Sequence, residues 1–303
     1  MDGVTFGKLF SAGVAKDGEP YKEARDAVVK AGGAVVPQLE KEASTASDWQ
    51  TRVTAWAWLA RIRAGALCQA VEERMRGNFG EPLGPKPLTG NWSASARGMA
   101  IVELGKETTP CILEILLKTR DADDKAQEAL IFALAQLRDR RATESLMALI
   151  EQTAQPQVKR QAIGALGRIG DEAAIPFLLK LLDNTSLSAD ERGAAALSLG
   201  QLHAKEAVHP LLELFLNTEN SLVLRGQALL GLGGIGDRSV SGAIAGRLEK
   251  EQSAELLQQM LTALSSVGDR QALPAVSAIA EKYPALTIRE QARETRDVIS
   301  HRP

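Results

Sequence analysis

The stretch Gln161-Ala-Ile-Gly-Ala-Leu-Gly-Arg-Ile-Gly-Asp-Glu-Ala-Ala-Ile-Pro-Phe-Leu-Leu-Lys-Leu-Leu-Asp183 decides the fold. Its apolar residues fall at helical spacing, first at Ala162, Ile163, Leu166 and Ile169, then at Ile175, Leu178, Leu179, Leu181 and Leu182. Between the two runs stands Gly170-Asp171. Glycine suits the left-handed position that ends a helix. Aspartate suits the N-cap of the next, where its carboxylate accepts from free N–H groups. Pro176 follows in the first turn of the second run, where a missing N–H costs least. The stretch therefore reads as two short helices and a tight corner.

The same pattern recurs along the chain. Asp171 closes Ala165-Leu-Gly-Arg-Ile-Gly-Asp, and its counterparts stand at residues 33, 64, 106, 139, 204, 237 and 269. The steps are 31, 42, 33, 32, 33, 33 and 32 residues. A fixed period of this size marks stacked helical repeats. Gly236 and Gly268 repeat the left-handed stop, Asp139, Asp237 and Asp269 the cap, and Pro37, Pro110 and Pro274 the first-turn proline. Ser188 with Glu191 and Thr287 with Glu290 have the spacing of a capping box at the start of a helix. One pair of short helices cannot bury its apolar faces alone, so the pairs must stack. Gly193 and Ala194 to Ala196 allow close approach between neighbouring first helices.

The repeated form Arg-x-x-Ala-x-x-x-Leu-x-x-Ile/Leu-Gly-Asp-x-x-Ala-x-Pro-x-Leu-x-x-Leu-Leu resembles the short HEAT-like repeat of the phycobilisome lyase type, clearly over 94–282 and faintly over 20–76. The resemblance implies an all-α, right-handed α-solenoid of about eight helix-pair repeats. The expected organisation is one solenoid domain over 1–303. It has an N-terminal cap (1–19), two divergent repeats (20–76), a Gly/Pro-rich inserted loop (77–93), six regular repeats (94–284) and a C-terminal capping helix (285–303). For function the resemblance implies less, because the same unit serves chromophore lyases, scaffolds and assembly factors.

Composition agrees with the helical reading. Apolar residues make up 45% of the chain and aromatics 4%, so the core is Ala, Leu, Ile and Val. The net charge of −2 provides no general field to gather nucleic acid or an anionic membrane. Cys68 and Cys111 sit in apolar helical contexts and read as buried thiols. The expectations are a cytoplasmic monomer with no cofactor, no metal, no membrane association and no nucleic-acid partner. The start of the chain shows no secretory signal, although a chain trimmed of its leader would read the same way.

Gly231-Leu-Gly-Gly-Ile-Gly236 imitates a dinucleotide fingerprint but lies at the end of a helix, not after a strand. His203, His209 and His301 lack the His-Glu pairs of HEAT-like di-iron hydroxylases. Asp121, Asp123 and Asp124 read as helix-start charges. Arg52, Lys159, Arg192 and Arg225 share one phase near the start of first helices, where a cation opposes the helix dipole. A carboxylate or carbonyl from the preceding loop is expected to compensate each.

Two places are candidates for binding. Glu114, Lys180 and Glu213 share one phase of the second helices, which are expected to line a concave groove. The segment around the long step concentrates all four tryptophans, Trp49, Trp56, Trp58 and Trp92. Residues 49–98 also hold seven basic residues against three acidic ones. Trp49, Arg61, Arg63, Arg74, Arg76, Asn78, Phe79 and Trp92 are the candidates there, because Trp and Arg dominate binding hot spots. Core packing by Trp56 and Trp58, under a loop that merely covers the stack, explains the same residues without a ligand. The reading is a non-enzymatic scaffold that grips a protein or peptide. A bilin lyase or chaperone is the alternative implied by the resemblance, with nucleic-acid binding third.

Overall fold

Every element of regular structure among the described residues of the computed structural model is helical. The structure describes residues 30–45, 55, 59, 62, 68, 69, 71, 72, 94–102, 104–118 and 124–302. The helices are α1 (Val36–Thr45), α2 (Ala94–Val102), α3 (Thr109–Lys118), α4 (Asp124–Leu137), α5 (Thr143–Gln152), α6 (Pro156–Ile169) and α7 (Ile175–Asp183). They continue as α8 (Ala189–Gln201), α9 (Val208–Leu216), α10 (Leu222–Ile235), α11 (Ser241–Leu248), α12 (Ala254–Val267), α13 (Leu273–Lys282) and α14 (Leu286–Ser300). The chain divides into two units, residues 1–92 with 103–115 and residues 93–102 with 116–303.

In the first unit a 3-10 turn over Gly32–Val35 leads into α1, and Val35 and Leu39 are buried. Ala55, Leu59, Ile62 and Val71 are buried as well. Cys68 and Cys111 form a disulfide, with Cα atoms 5.0 Å apart. This corrects the reading of two independent buried thiols. The pairing spans 43 residues and includes the long step, so the repeat period carried no information about it.

The second unit is an α-solenoid. Even-numbered helices α4 to α12 are the first members of successive pairs, odd-numbered α5 to α13 the second. Asp139, Asp171, Asp237 and Asp269 cap the 3-10 turn that opens each second member, accepting from the N–H two residues on. The caps also tie neighbouring pairs together. Thr143 Oγ1 donates to Asp171 Oδ2 at 2.7 Å, and Ser241 Oγ to Asp269 Oδ1 at 2.9 Å.

The left-handed stop is a structural column. Arg138, Gly170, His203 and Gly236 have φ of 49°, 77°, 52° and 79°. Gly268 departs from it, with φ −62° and ψ 139°, in extended backbone that any residue adopts. The capping box of Ser188 and Glu191 is complete. That of Thr287 and Glu290 is not formed, because α14 begins at Leu286 and Thr287 is already inside the helix.

Small residues set how the pairs stack. A Cβ on Gly200 would stand 2.8 Å from Gly231 Cα, and one on Gly231 would stand 2.6 Å from the Ala196 carbonyl oxygen. A Cβ on Gly167 would meet Ser198 Cα at 2.7 Å. First helices therefore touch backbone to backbone from α6 to α10. The second helices bury Leu178, Leu182, Leu211, Phe215 and Ile244. Each first helix packs along its predecessor, whereas successive second helices make few contacts with one another. The first helices approach one another more closely than the second helices do, and the side they form is termed the inner side.

Candidate functional site

The cation column near the first-helix starts is satisfied wherever it is described, from the preceding side for Arg192 and Arg225 as expected, but from the following repeat for Lys159. Arg192 Nε donates to the Leu182 carbonyl at 2.8 Å, and Arg225 Nε to the Phe215 carbonyl at 2.9 Å. Both acceptors belong to the end of the preceding second helix, whose free carbonyls and negative dipole end favour a cation. Arg225 also pairs with Glu251 Oε2 at 2.9 Å and lies over the Phe215 ring. Lys159 Nζ stands 3.9 Å from Glu191 Oε1. This column is internal bracing; Arg52 lies outside the described residues.

The expected groove residues stand on the second helices α3, α7 and α9. Lys180 is exposed on α7 at the edge of a depression of about 320 Å³ shared with Glu151, Phe177 and Asn184. Glu213 is exposed on α9, its Oε1 3.4 Å from His209 Nε2. Glu114 is exposed on α3 in the first unit. Lys180 and Glu213 stand on the second-helix side of the solenoid. Trp49, Arg61, Arg63, Arg74, Arg76, Asn78, Phe79 and Trp92 lie outside the described residues.

A larger depression, about 680 Å³, runs across the inner side over α2, α4, α6, α8 and α10. Its size is that of ordinary ligand sites. Periodicity builds it. Met99, Phe132, Gly164, Leu197 and Leu230 occupy one phase of successive first helices. Phe132, Gly164 and Leu197 line the depression, while Met99 and Leu230 are exposed large apolar residues on α2 and α10. Buried helix interiors supply the floor, where Ser198 Oγ donates to the Ile163 carbonyl at 2.9 Å.

The polar residues at the rim are unequally engaged. Arg160 Nη1 donates to Asp190 Oδ2 at 3.1 Å, and its other terminal nitrogen donates to Gln157. Arg168, one turn beyond Gly164 on the same face of α6, is exposed and has no ion pair among the described residues. Glu128 stands towards the opposite end. Gln227 lays its amide over Gly193, where its Oε1 is shut off from solvent without a donor. The surface is thus part apolar and part hydrogen-bonding. The small residues that shape this face were legible in the first helices, but the depression over them was not among the expected sites.

Comparison with known proteins places the repeat. Residues 109–200 match the family model for HEAT repeats, and residues 191–217 match that of the PBS lyase HEAT-like repeat. Over 109–217 the chain thus matches HEAT-like repeats, with the PBS lyase type at 191–217, in line with the sequence resemblance. No curated protein sequence matches it. Among solved structures, human deoxyhypusine hydroxylase aligns over 80% of this chain and 99% of its own, at 18% identity and a TM-score of 0.35. The CpcE–CpcF complex of phycocyanin lyase from Nostoc aligns over 87% and 94%, at 22% identity and a TM-score of 0.40. Importin beta aligns over 98% of this chain and 42% of its own, at 15% identity and a TM-score of 0.49. Among the described residues no helix is long and apolar enough to cross a membrane.

Proposed function

We propose that the protein is a non-catalytic scaffold, one solenoid domain that holds an extended segment of a partner protein against its first-helix face. The observation that carries this reading is the depression of about 680 Å³ over five successive first helices, apolar along its centre and polar at its rim. Binding surfaces combine these two features, a desolvated centre and a hydrogen-bonding edge. The tryptophan- and arginine-rich segment 49–98, with its Gly/Pro-rich loop 77–92, is proposed as a second contact with the same partner.

The test is site-specific photocrosslinking in the native lysate, with the crosslinker at Leu197 on the inner face or at Lys180 on the outer face. A discrete crosslinked partner from Leu197 and none from Lys180 supports the reading. The same products from both positions, or products from Lys180 alone, would sink it.

The PBS lyase repeat over 191–217 favours a second reading, a chromophore lyase or chaperone. It predicts a change in bilin absorbance on mixing, and an unchanged spectrum counts against it. As to compartment, the Cys68–Cys111 bridge supports an oxidising environment in place of the cytoplasm expected from sequence, since such bonds persist outside reducing compartments.

A further inference from the structure

Helix interiors disfavour glycine by roughly 0.5–1 kcal/mol relative to alanine. In the first helices most glycines have a packing reason to be there. Gly167, Gly200 and Gly231 sit where a neighbouring backbone leaves no room for a Cβ, and Gly193 and Gly226 lie under the amides of Gln227 and Gln259. Gly164 is different. A Cβ there would meet nothing within 4 Å, although the residue lies mid-way along α6. (Gly246 on second helix α11 is equally open, but it lies on the outer side.)

Gly164 interrupts the apolar column of the inner face. Phe132 stands at its phase on the preceding first helix and Leu197 on the following one, and all three line the same depression. The missing side chain leaves a notch between two apolar walls. Arg168 lies four residues on, which places it on the same helix face as the notch. It is the cation of the depression without a counter-charge; Arg160 is already engaged by Asp190.

We infer that the notch at Gly164 receives a large apolar side chain of the partner segment, and that Arg168 binds an aspartate or glutamate side chain beside it. The inference rests on the scaffold reading above and names the chemistry of its partner. A guanidinium pairs with a carboxylate through paired N–H donors, which gives direction as well as affinity. Glu128, towards the other end, repels a second acid and so fixes which way the segment runs.

The experiment is selection of a random twelve-residue peptide library, displayed with its C-terminus fused so that only side chains supply carboxylates. The targets are the wild-type chain, Gly164→Leu and Arg168→Glu. Wild type is expected to enrich peptides with an acidic residue near a large apolar one. Gly164→Leu fills the notch and lowers binding of those peptides at least tenfold, with a melting temperature no lower than wild type. Arg168→Glu shifts the enrichment from acidic to basic residues. Peptides that Gly164→Leu abolishes but Arg168→Glu leaves unchanged would overturn the carboxylate assignment and leave the groove reading standing. Peptides indifferent to both variants, or no enrichment at all, would overturn both.

Discussion

Arg225 and Glu251 form a buried ion pair across one repeat boundary, 2.9 Å apart with side chains only 5% and 9% exposed. Neither charge is left with a single partner. Arg225 also donates to the Phe215 carbonyl, and Glu251 accepts from the Gln252 and Ser253 N–H groups. Removing one partner strands the other charge away from water, which costs about 3–5 kcal/mol, whereas replacing both by apolar groups costs far less. Arg225→Met and Glu251→Leu should therefore each destabilise by roughly that amount, and the double variant by much less than the sum. Urea denaturation of the four proteins measures the cycle. Additive single effects would mean that the pair is not coupled.

The same pair gives a pH dependence. Burial alone would raise the Glu251 carboxyl above its ordinary value, but hydrogen bonds from Ser253 and Arg225, and the charge of Arg225, outweigh burial and hold it lower. A carboxyl lowered on folding stabilises the native state at pH values above its unfolded pKa, about 4.3. That stabilisation falls away as pH drops from there through the lower, folded value. Wild type should thus lose more stability than Glu251→Gln between neutral pH and about pH 3. Equal losses in the two proteins would remove Glu251 from the acid response.

Two glycines of the first helices predict opposite outcomes for one substitution. Gly164→Ala should stabilise by about 0.5–1 kcal/mol, since the new methyl meets nothing and the helix gains propensity. Gly200→Ala places a methyl 2.8 Å from the Gly231 backbone, and overpacking of this kind costs about 1–3 kcal/mol. Thermal melts of the two variants check the signs. If Gly164→Ala were destabilising, the notch would not be open space.

Local chemistry was legible in the sequence wherever it repeats. The aspartate caps and the Gly170 and Gly236 stops depend on neighbours within one pair, and the carbonyl partners of Arg192 and Arg225 on the end of the pair before, so all follow from period and residue type. Thr287 was misread because Leu286 already belongs to the helix, and a spacing of three residues does not fix the first helical residue. Gly268 was misread because an extended residue ends α12, whereas α4, α6, α8 and α10 are each followed by a left-handed residue. The depression over the first helices was missed for a different reason. It depends on how closely neighbouring first helices approach, which contacts such as Gly200 against Gly231 decide in three dimensions. The notch at Gly164 is a property of its neighbours Phe132 and Leu197, so no single repeat displays it.

The Cys68–Cys111 bridge is the feature furthest from anything periodic, and it carries the strongest prediction about conditions. It closes a sequence separation of 43 residues, which includes the Gly/Pro-rich stretch 77–91. Cross-links stabilise by restricting the unfolded chain, by about 3 kcal/mol for a loop of 15 residues and about 4.7 for one of 100. A loop of this size falls between, so reduction should lower unfolding stability by up to about 4 kcal/mol. Cys68→Ser with Cys111→Ala should melt at the temperature of the reduced wild type and ignore reductant altogether. Alkylation under denaturing, non-reducing conditions checks the bond itself, with no thiol expected to react. Two reactive thiols in protein prepared without reductant would refute the bridge, and with it the argument for an oxidising compartment, while leaving the stacked repeats and their inner face untouched.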